Sequence, residues 1–414
     1  MKGFFQLVSS SEFIRLFENF HPLHAEEVPV AQCLGRTLAQ DIQAPEPLPP
    51  FSRSTMDGYA VRARDTFGCG ETEPALLKVA GEISMGRSGQ ELPLYPGQAV
   101  TIWTGGELPS QSDAVVMVEY THRLNADTIE IFRPVAPGEN VIRSGEDFAQ
   151  GSTVLYKGQQ LRPQDLGVLS GLGMTAIPVF KKPVVALIST GDELVGPDQP
   201  LLAPGKIRDI NTTTLHALVE ECGALPVSLG IVKDDLDSMF KACIHALEIP
   251  ADMVLLSGGS SVGRRDFTLK VLDMIDGAEL LAHGVSIRPG KPTILAHKNN
   301  VALYGLPGHA GSAIVVFYLF VRPLLRKLSG AGASMGLQRI KAMTSEQIPS
   351  VIGREDFIRV SIKWGSDAMP HTAIPVYGKS GLLSPLIKAD GLLVIDRDTE
   401  GLDQGEEAKV ILFP

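Results

Sequence analysis

Leu255-Leu256-Ser257-Gly258-Gly259-Ser260-Ser261-Val262-Gly263-Arg264-Arg265-Asp266-Phe267 runs an apolar segment straight into a glycine-rich loop. The spacing predicts a strand over 253–256 and a helix from about Asp266 to Ile275. Glycines at 258, 259 and 263 let backbone N–H groups approach an anion, and a helix N-terminus adds a favourable dipole. Further on, Ile287-Arg288-Pro289-Gly290-Lys291-Pro292 places two cations, Arg288 and Lys291, on a backbone stiffened by proline. With Asp266 beside the glycines, the pattern points to a phosphate-bearing ligand accompanied by a divalent cation.

Around this stretch, residues 183–328 alternate strand-like and helix-like runs. Val184–Ile188 is a predicted buried strand, and 213–221 and 236–247 are predicted helices. Such alternation implies a parallel sheet with helices on both faces, which binds ligands at the carboxyl ends of its strands. Ser189-Thr190-Gly191-Asp192-Glu193 and Ser257-Gly258-Gly259 both fall at such ends and are expected to face one crevice.

The flanks read differently. Ser9 and Glu12 fit a capping box, and Phe13, Leu16, Phe17 and Phe20 recur at helical spacing as core residues. Pro45, Pro47, Pro49 and Pro50 force an extended connection and mark a boundary. From Phe51 to about Ile142, short β-rich runs such as Ala99–Trp103 and Ala114–Val118 alternate with Gly and Pro turns. A helix is predicted over 164–172, after Pro163. Ser329–Gly336 is a small-residue linker, and beyond it Phe357–Lys363 and Gly391–Ile395 read as strands of a separate β-domain.

Composition bounds the function. A chain of 414 residues is too long for a single core, so roughly two to four domains are expected. A net charge of −10 argues against a general nucleic-acid surface while allowing a local basic pocket. Cys33, Cys69, Cys222 and Cys243 form no CxxC pair and read as thiols in a reducing cytosol. His283 and His309 lack metal-ligand spacing, so no zinc site is expected. No signal peptide is visible, and the longest apolar run, Ala313–Val321, is far short of the roughly 20 residues of a membrane span. The expectation is a cytoplasmic protein that engages neither nucleic acid nor membrane.

The motifs resemble the MoeA family of molybdopterin molybdenumtransferases, and the related C-terminal domain of gephyrin, along almost the whole chain. The matching pieces are Pro49–Arg62, with its Met56-Asp57-Gly58-Tyr59-Ala60 centre, Thr104-Gly105-Gly106, Ser112–Met117 and Gly145-Glu146-Asp147. They continue with Ser189–Leu194, Asp234-Asp235, Ser257–Gly263, Arg288–Pro292 and Gly305–Gly308, in the family's order. The resemblance implies a multi-domain α/β plus β fold: an elongated four-domain subunit with a central doubly wound, MogA-like α/β domain and a C-terminal β-barrel. Residues 1–50 with 143–178 would form a discontinuous N-terminal domain, 51–142 an inserted β-rich domain, 179–329 the molybdopterin-binding α/β domain and 336–414 the barrel. A homodimer is implied, each active site being completed by both subunits.

The implied reaction takes adenylylated molybdopterin, supplied by a MogA-like molybdopterin adenylyltransferase, together with molybdate. A magnesium-dependent step releases AMP and leaves the metal on the dithiolene sulfurs. By resemblance, the catalytic set is Asp57, Thr104, Asp147, Glu193, Asp234, Asp266, Arg288 and Lys291. Gly258, Gly259, Ser260, Ser261, Lys291, Pro292, Pro307, Gly308 and His309 would bind the molybdopterin substrate. Asp192, Glu193, Asp234, Asp235 and Asp266 would serve magnesium, with Arg354 and Ser380 holding the metal oxyanion. Each carboxylate also has a structural reading: Asp57 as a turn residue, Asp192 and Asp266 as helix caps, Asp234 and Asp235 as a loop pair.

Departures from the family pattern bear on ligand geometry and metal choice. The usual Leu-Pro-Gly-Asn-Pro-Val-Ser-Ala loop is here Leu306-Pro307-Gly308-His309-Ala310-Gly311-Ser312-Ala313. Arg288 stands where many members carry lysine, exchanging a point charge for a planar fork. Ser260 replaces a usual valine. The competing readings are a tungsten-preferring insertase of the same family, a gephyrin-like scaffold, and a CinA-like protein that shares the α/β domain alone. The Met56–Ala60 module and the C-terminal β-domain weigh against the last.

Overall fold

The computed structural model describes residues 7–258, 267–366 and 369–414. Its centre is a six-stranded sheet in the order Leu225–Val232, Val184–Thr190, Met253–Ser257, Val301–Leu306, Ile294–Lys298, Glu279–His283. Alternation along each strand divides the side chains between two cores. Val185, Leu187, Met253, Leu255 and Tyr304 enter one cluster, while Ala186, Ile188, Val254, Leu256 and Leu303 enter the other. The helix Asn211–Glu221 and the helical stretch from Ala310 to Leu328 cover the first face. The helices Leu236–Glu248 and Phe267–Met274 cover the second.

The expected all-parallel sheet is corrected to a mixed one. The first four strands in that order run parallel and the last two pairings are antiparallel. The reason is local: Lys298 pairs with Val301 across a two-residue turn, with Asn299 at φ 54°, and so short a link can join only antiparallel strands.

The first helix, Ser10–Arg15, carries the capping box read from Ser9 and Glu12, and its last turn tightens into a 3₁₀ segment, Leu16–Asn19. Phe13, Phe17 and Phe20 are buried in the core of the α/β sheet, with the Phe13 ring 4.5 Å from that of Phe320. The segments after it pair with chain far ahead: Ala25–Pro29 with Ala176–Phe180, and Ile42–Gln43 with Thr153–Leu155. Between these lies a six-stranded module in the order Ala114–Met117, Gly58–Val61, Gln98–Ile102, Ala75–Ile83, Thr128–Ile131, Thr121–Arg123.

At the C-terminal end, Glu355–Lys363, Thr372–Pro375, Arg339–Thr344, Glu407–Leu412 and Gly391–Ile395 follow one another. Pairing of the last with the first closes a five-stranded barrel. Ile287–Arg288, from the proline-glycine turn of the α/β region, adds to this barrel in parallel, placing Arg288 opposite Asp356. Among the described residues no helix is long and apolar enough to cross a membrane. Burial raises the Cys222 thiol to about 11 and the Cys243 thiol to about 12, so both are unreactive at neutral pH.

Candidate active site

The parallel register aligns Ser189, Ser257 and Leu306 at the carboxyl ends of three adjacent strands. The loops that follow enclose a cavity of about 620 Å³, which also takes in 207–211 and Gly381 of the barrel. Gly258 has φ +107°, and a Cβ there would lie 2.3 Å from the Thr190 carbonyl oxygen, so only glycine lets this loop pass. Asn211, the first residue of its helix and nearly buried, donates from Nδ2 to Ser257 Oγ and, at 2.8 Å, to the Gly308 carbonyl. One side chain thus ties together two of the three loops.

Glu193, Asp209 and Asp234 line the cavity. The Asp209 carboxylate is engaged, accepting from Thr212 Oγ1 at 2.6 Å and Thr212 N–H at 3.2 Å. Asp192 accepts the Asp234 backbone N–H at 3.2 Å and braces that loop. Asp235 is a helix cap: its carboxylate accepts from the Ser238 N–H and hydroxyl at 2.9 and 2.8 Å. Those bonds hold it below the usual carboxylate range. His309 Nδ1 lies 3.0 Å from Ser380 Oγ, and the Ser380 carbonyl accepts the Gly311 N–H at 3.0 Å. The barrel loop is thereby docked on the cavity rim.

A second cavity, of about 470 Å³, shares Pro292 and Ser312 with the first and is lined by Arg288, Lys291 and Arg354. Beneath it Asp356 is fully buried, with Arg354 Nε 2.9 Å from one carboxylate oxygen and Arg288 Nη1 3.7 Å from the other. The pair expected to hold the oxyanion is therefore divided: Arg354 lines this cavity, while Ser380 contacts His309 at the other.

Asp57 and Thr104 meet each other in the inserted β-module. Asp57 Oδ1 accepts the Thr104 N–H at 2.8 Å and its hydroxyl at 2.7 Å, which lowers the Asp57 pKa. Both are exposed and line neither cavity, and the same holds for Asp147, whose N–H donates to the Leu48 carbonyl. Gly259, Ser260, Ser261, Arg264, Arg265 and Asp266 lie outside the described residues. Among the described residues no three His, Cys, Asp or Glu side chains form a metal-holding group.

The sequence reading missed Asn211 and Asp356. Asn211 had a signal in the polar break of Ile207-Arg208-Asp209-Ile210-Asn211 just before a helix. Asp356 had one in a carboxylate two residues after Arg354, in alternation with the apolar Ile358, Val360 and Ile362 of its strand.

A crevice at the strand ends, rimmed by a barrel loop, defines a multidomain protein built on an α/β sheet of the kind that binds ligands at its strand ends. Comparison places it further. Residues 8–173 match the family profile described as the MoeA N-terminal region (domain I and II), 186–327 the "Probable molybdopterin binding domain", and 341–413 the MoeA C-terminal region (domain IV). The molybdopterin molybdenumtransferase of Bacillus subtilis is 34% identical over 393 residues, covering 94% of this chain and 90% of that one. That of Haemophilus influenzae is 33% identical over 394 residues, 95% of each. The crystal structure of the molybdopterin biosynthesis MoeA protein from Pyrococcus horikoshii superimposes with a TM-score of 0.84 at 34% identity, over 99% of this chain and all of that one. The chain belongs to the MoeA family and is an enzyme of the transferase class.

Proposed function

We propose that the protein is a molybdopterin molybdenumtransferase, which takes adenylylated molybdopterin and molybdate, releases AMP and leaves the metal on the dithiolene sulfurs. The observation that carries this reading is the adjacency of two unlike cavities: one holds carboxylates and hydroxyls, the other Arg288, Lys291 and Arg354. The cations suit phosphate and oxyanion groups, Arg288 and Arg354 as planar forks and Lys291 as a point charge. Glu193 and Asp234 fit magnesium, which keeps several waters and takes one or two carboxylates together with substrate phosphates. That ion, when bound, would offset the charge of the pyrophosphate. Asp235 is committed to its helix cap, so Asp234 is the functional carboxylate of the pair.

Pro307, Gly308 and His309 wall the substrate crevice, and Ser380 fixes the His309 ring. Asp57, Thr104 and Asp147 stand apart from both cavities of their own chain, which a homodimer accounts for if they reach the partner's site. The division proposed is a discontinuous N-terminal domain of residues 1–50 with 143–178, an inserted β-domain of 51–142, an α/β domain of 179–329 and a barrel of 336–414. A MogA-like adenylyltransferase would supply the substrate in the cytoplasm.

The test is cofactor formation from purified adenylylated molybdopterin, with AMP release and bound metal both measured, with and without magnesium. Molybdate and tungstate are supplied separately. AMP release coupled to metal transfer and lost without magnesium is expected; metal transfer that ignores magnesium would overturn the magnesium assignment. Mixed Asp57→Ala and Lys291→Ala chains should recover part of the activity in heterodimers. If demonstrated heterodimers recover none, the shared site is wrong.

A further inference from the structure

We propose that Asp356 is a buried counter-charge that weakens the hold of Arg288 and Arg354 on a tetrahedral oxyanion, so that the anion is gripped loosely enough to be passed on. Asp356 is fully buried, at 0% exposure, and does not line the cavity of about 470 Å³ that the two arginines share with Lys291. In the parallel register Arg288 pairs with Asp356, so the two side chains leave the same face of the sheet. Arg354 Nε lies 2.9 Å from one carboxylate oxygen and Arg288 Nη1 3.7 Å from the other. Yet among the described residues neither oxygen accepts a hydrogen bond. The first contact is close but misdirected, and the second is too long. Asp356 therefore acts on the arginines as a charge and consumes none of their donors.

A buried carboxylate without hydrogen bonds is costly to the folded chain. Ile358, Val360 and Ile362 alternate with it along the strand, so an apolar residue would continue the pattern. A charge kept at that position points to an electrostatic task. Three cations, with no carboxylate among the described residues of the wall, would hold a multiply charged oxyanion strongly. Tight binding of the ground state lowers KM without speeding the step that follows. A site that takes in an oxyanion for delivery to another acceptor must also let it go. Repulsion from Asp356, little screened because the group is buried, subtracts from the hold. Asp356 works only through the arginines and is a positioning residue in that sense.

The inference rests on reading this cavity as the anion site of the transferase, and its test separates the two. Molybdate and inorganic pyrophosphate are titrated by calorimetry into the intact protein and into Asp356→Asn, Asp356→Ser and Asp356→Glu. The first two variants remove the charge and keep a polar acceptor; the third keeps the charge. Both neutral variants should bind the anion about three- to tenfold more tightly, and Asp356→Glu about as the parent does. Tightening of molybdate names the metal oxyanion as the occupant, and tightening of pyrophosphate names the substrate's phosphates. In cofactor formation the KM of the corresponding substrate should fall by the same factor while kcat stays or drops. A higher kcat would sink the idea that a looser grip serves delivery. Equal tightening in Asp356→Glu would assign the effect to packing and overturn the proposal. Unchanged or weaker binding in a folded neutral variant, or failure of both neutral variants to fold, assigns Asp356 to the domain junction alone and overturns it too. A parent protein that binds neither anion overturns the anion-site reading, and the inference with it.

Discussion

The cavity at the strand ends and the cavity under the Pro289-Gly290 turn share Pro292 and Ser312, yet among the described residues their charges oppose. The first is lined by Glu193, Asp209 and Asp234 with only Arg208 and His309 to set against them; the second has Arg288, Lys291 and Arg354 and no carboxylate on its wall. The difference shows how a chain with an acidic balance, −10 overall, still gathers a locally cationic wall. It sets Arg288 and Lys291 on one rigid turn with Arg354 beside them, and anchors the two arginines through Asp356, which is hidden from solvent. The acidic cavity is built differently, its loops stitched by neutral donors such as Asn211. One region is organised by ion pairs across a domain junction, the other by hydrogen bonds within one sheet.

The hardest test of this contrast is Asp356→Ala. It removes the shared counter-charge of Arg288 and Arg354 at the strand that joins the α/β region to the barrel. Breaking a buried pair typically costs about 3–5 kcal/mol, and because Arg288 is well exposed the low end, about 3 kcal/mol, is expected. A urea unfolding midpoint that barely moves would show that Asp356 does not organise the junction. Lys291→Ala comes next. Loss of a charge-assisted hydrogen bond costs about 1.5–3 kcal/mol, or roughly ten- to hundredfold in rate or affinity. Cofactor formation should fall by that factor while the melting temperature stays near the parent's. Near-parent activity would remove Lys291 from the site.

Arg288→Lys is a smaller perturbation. It restores the commoner family residue and keeps the charge, but lysine lacks the planar fork and has a shorter reach toward Asp356. Substantial activity should remain, with a change of a few-fold, about 1 kcal/mol or less, in the ratio of molybdate to tungstate use. An unchanged ratio at matched ionic strength would show that this departure does not tune metal choice.

Much of the architecture was legible because hydrophobic periodicity is a local property. Met253–Ser257 is buried throughout, and its even and odd residues enter different cores, as a doubly covered strand requires. The helices Asn211–Glu221 and Leu236–Glu248 begin and end within a few residues of expectation. The antiparallel edge was missed because Asn299-Asn300 is a weak turn signal beside the stronger βαβ rhythm. In the site, loop positions could be read, since glycines and prolines announce turns; partnerships could not. Nothing local in the sequence distinguishes Asp235, which caps a helix, from Asp234, which lines the cavity, because the difference is one of orientation. Likewise the contact of His309 with Ser380 joins residues 71 apart in the chain, beyond the reach of any periodicity.

The smallest expected effect concerns Asp57 and Thr104, which lie outside both cavities of their own chain and so ask to which region they belong functionally. Thr104 donates to Asp57 from its backbone N–H first and its hydroxyl second, and these bonds hold the carboxyl below its ordinary range. A carboxylate whose folded pKa is depressed adds stability above its unfolded value, near 3.9, and loses it as pH falls through the folded pKa. Asp57 is exposed, so the acid limb of the stability profile should hardly move when the pair is altered. The sensitive measurement is the carboxyl titration itself, followed by NMR. Thr104→Val removes the hydroxyl and leaves the backbone donor, so the Asp57 pKa should rise part of the way toward its ordinary value. Thr104→Ser should leave it depressed. In both variants Asp57 remains ionised at neutral pH, so any loss of cofactor formation at pH 7 in Thr104→Val reflects lost geometry rather than lost charge. If that loss disappears in mixed dimers that supply a parent β-module to the affected site, the pair works on the partner's cavities; if it persists in every combination, Asp57 and Thr104 only shape their own turn.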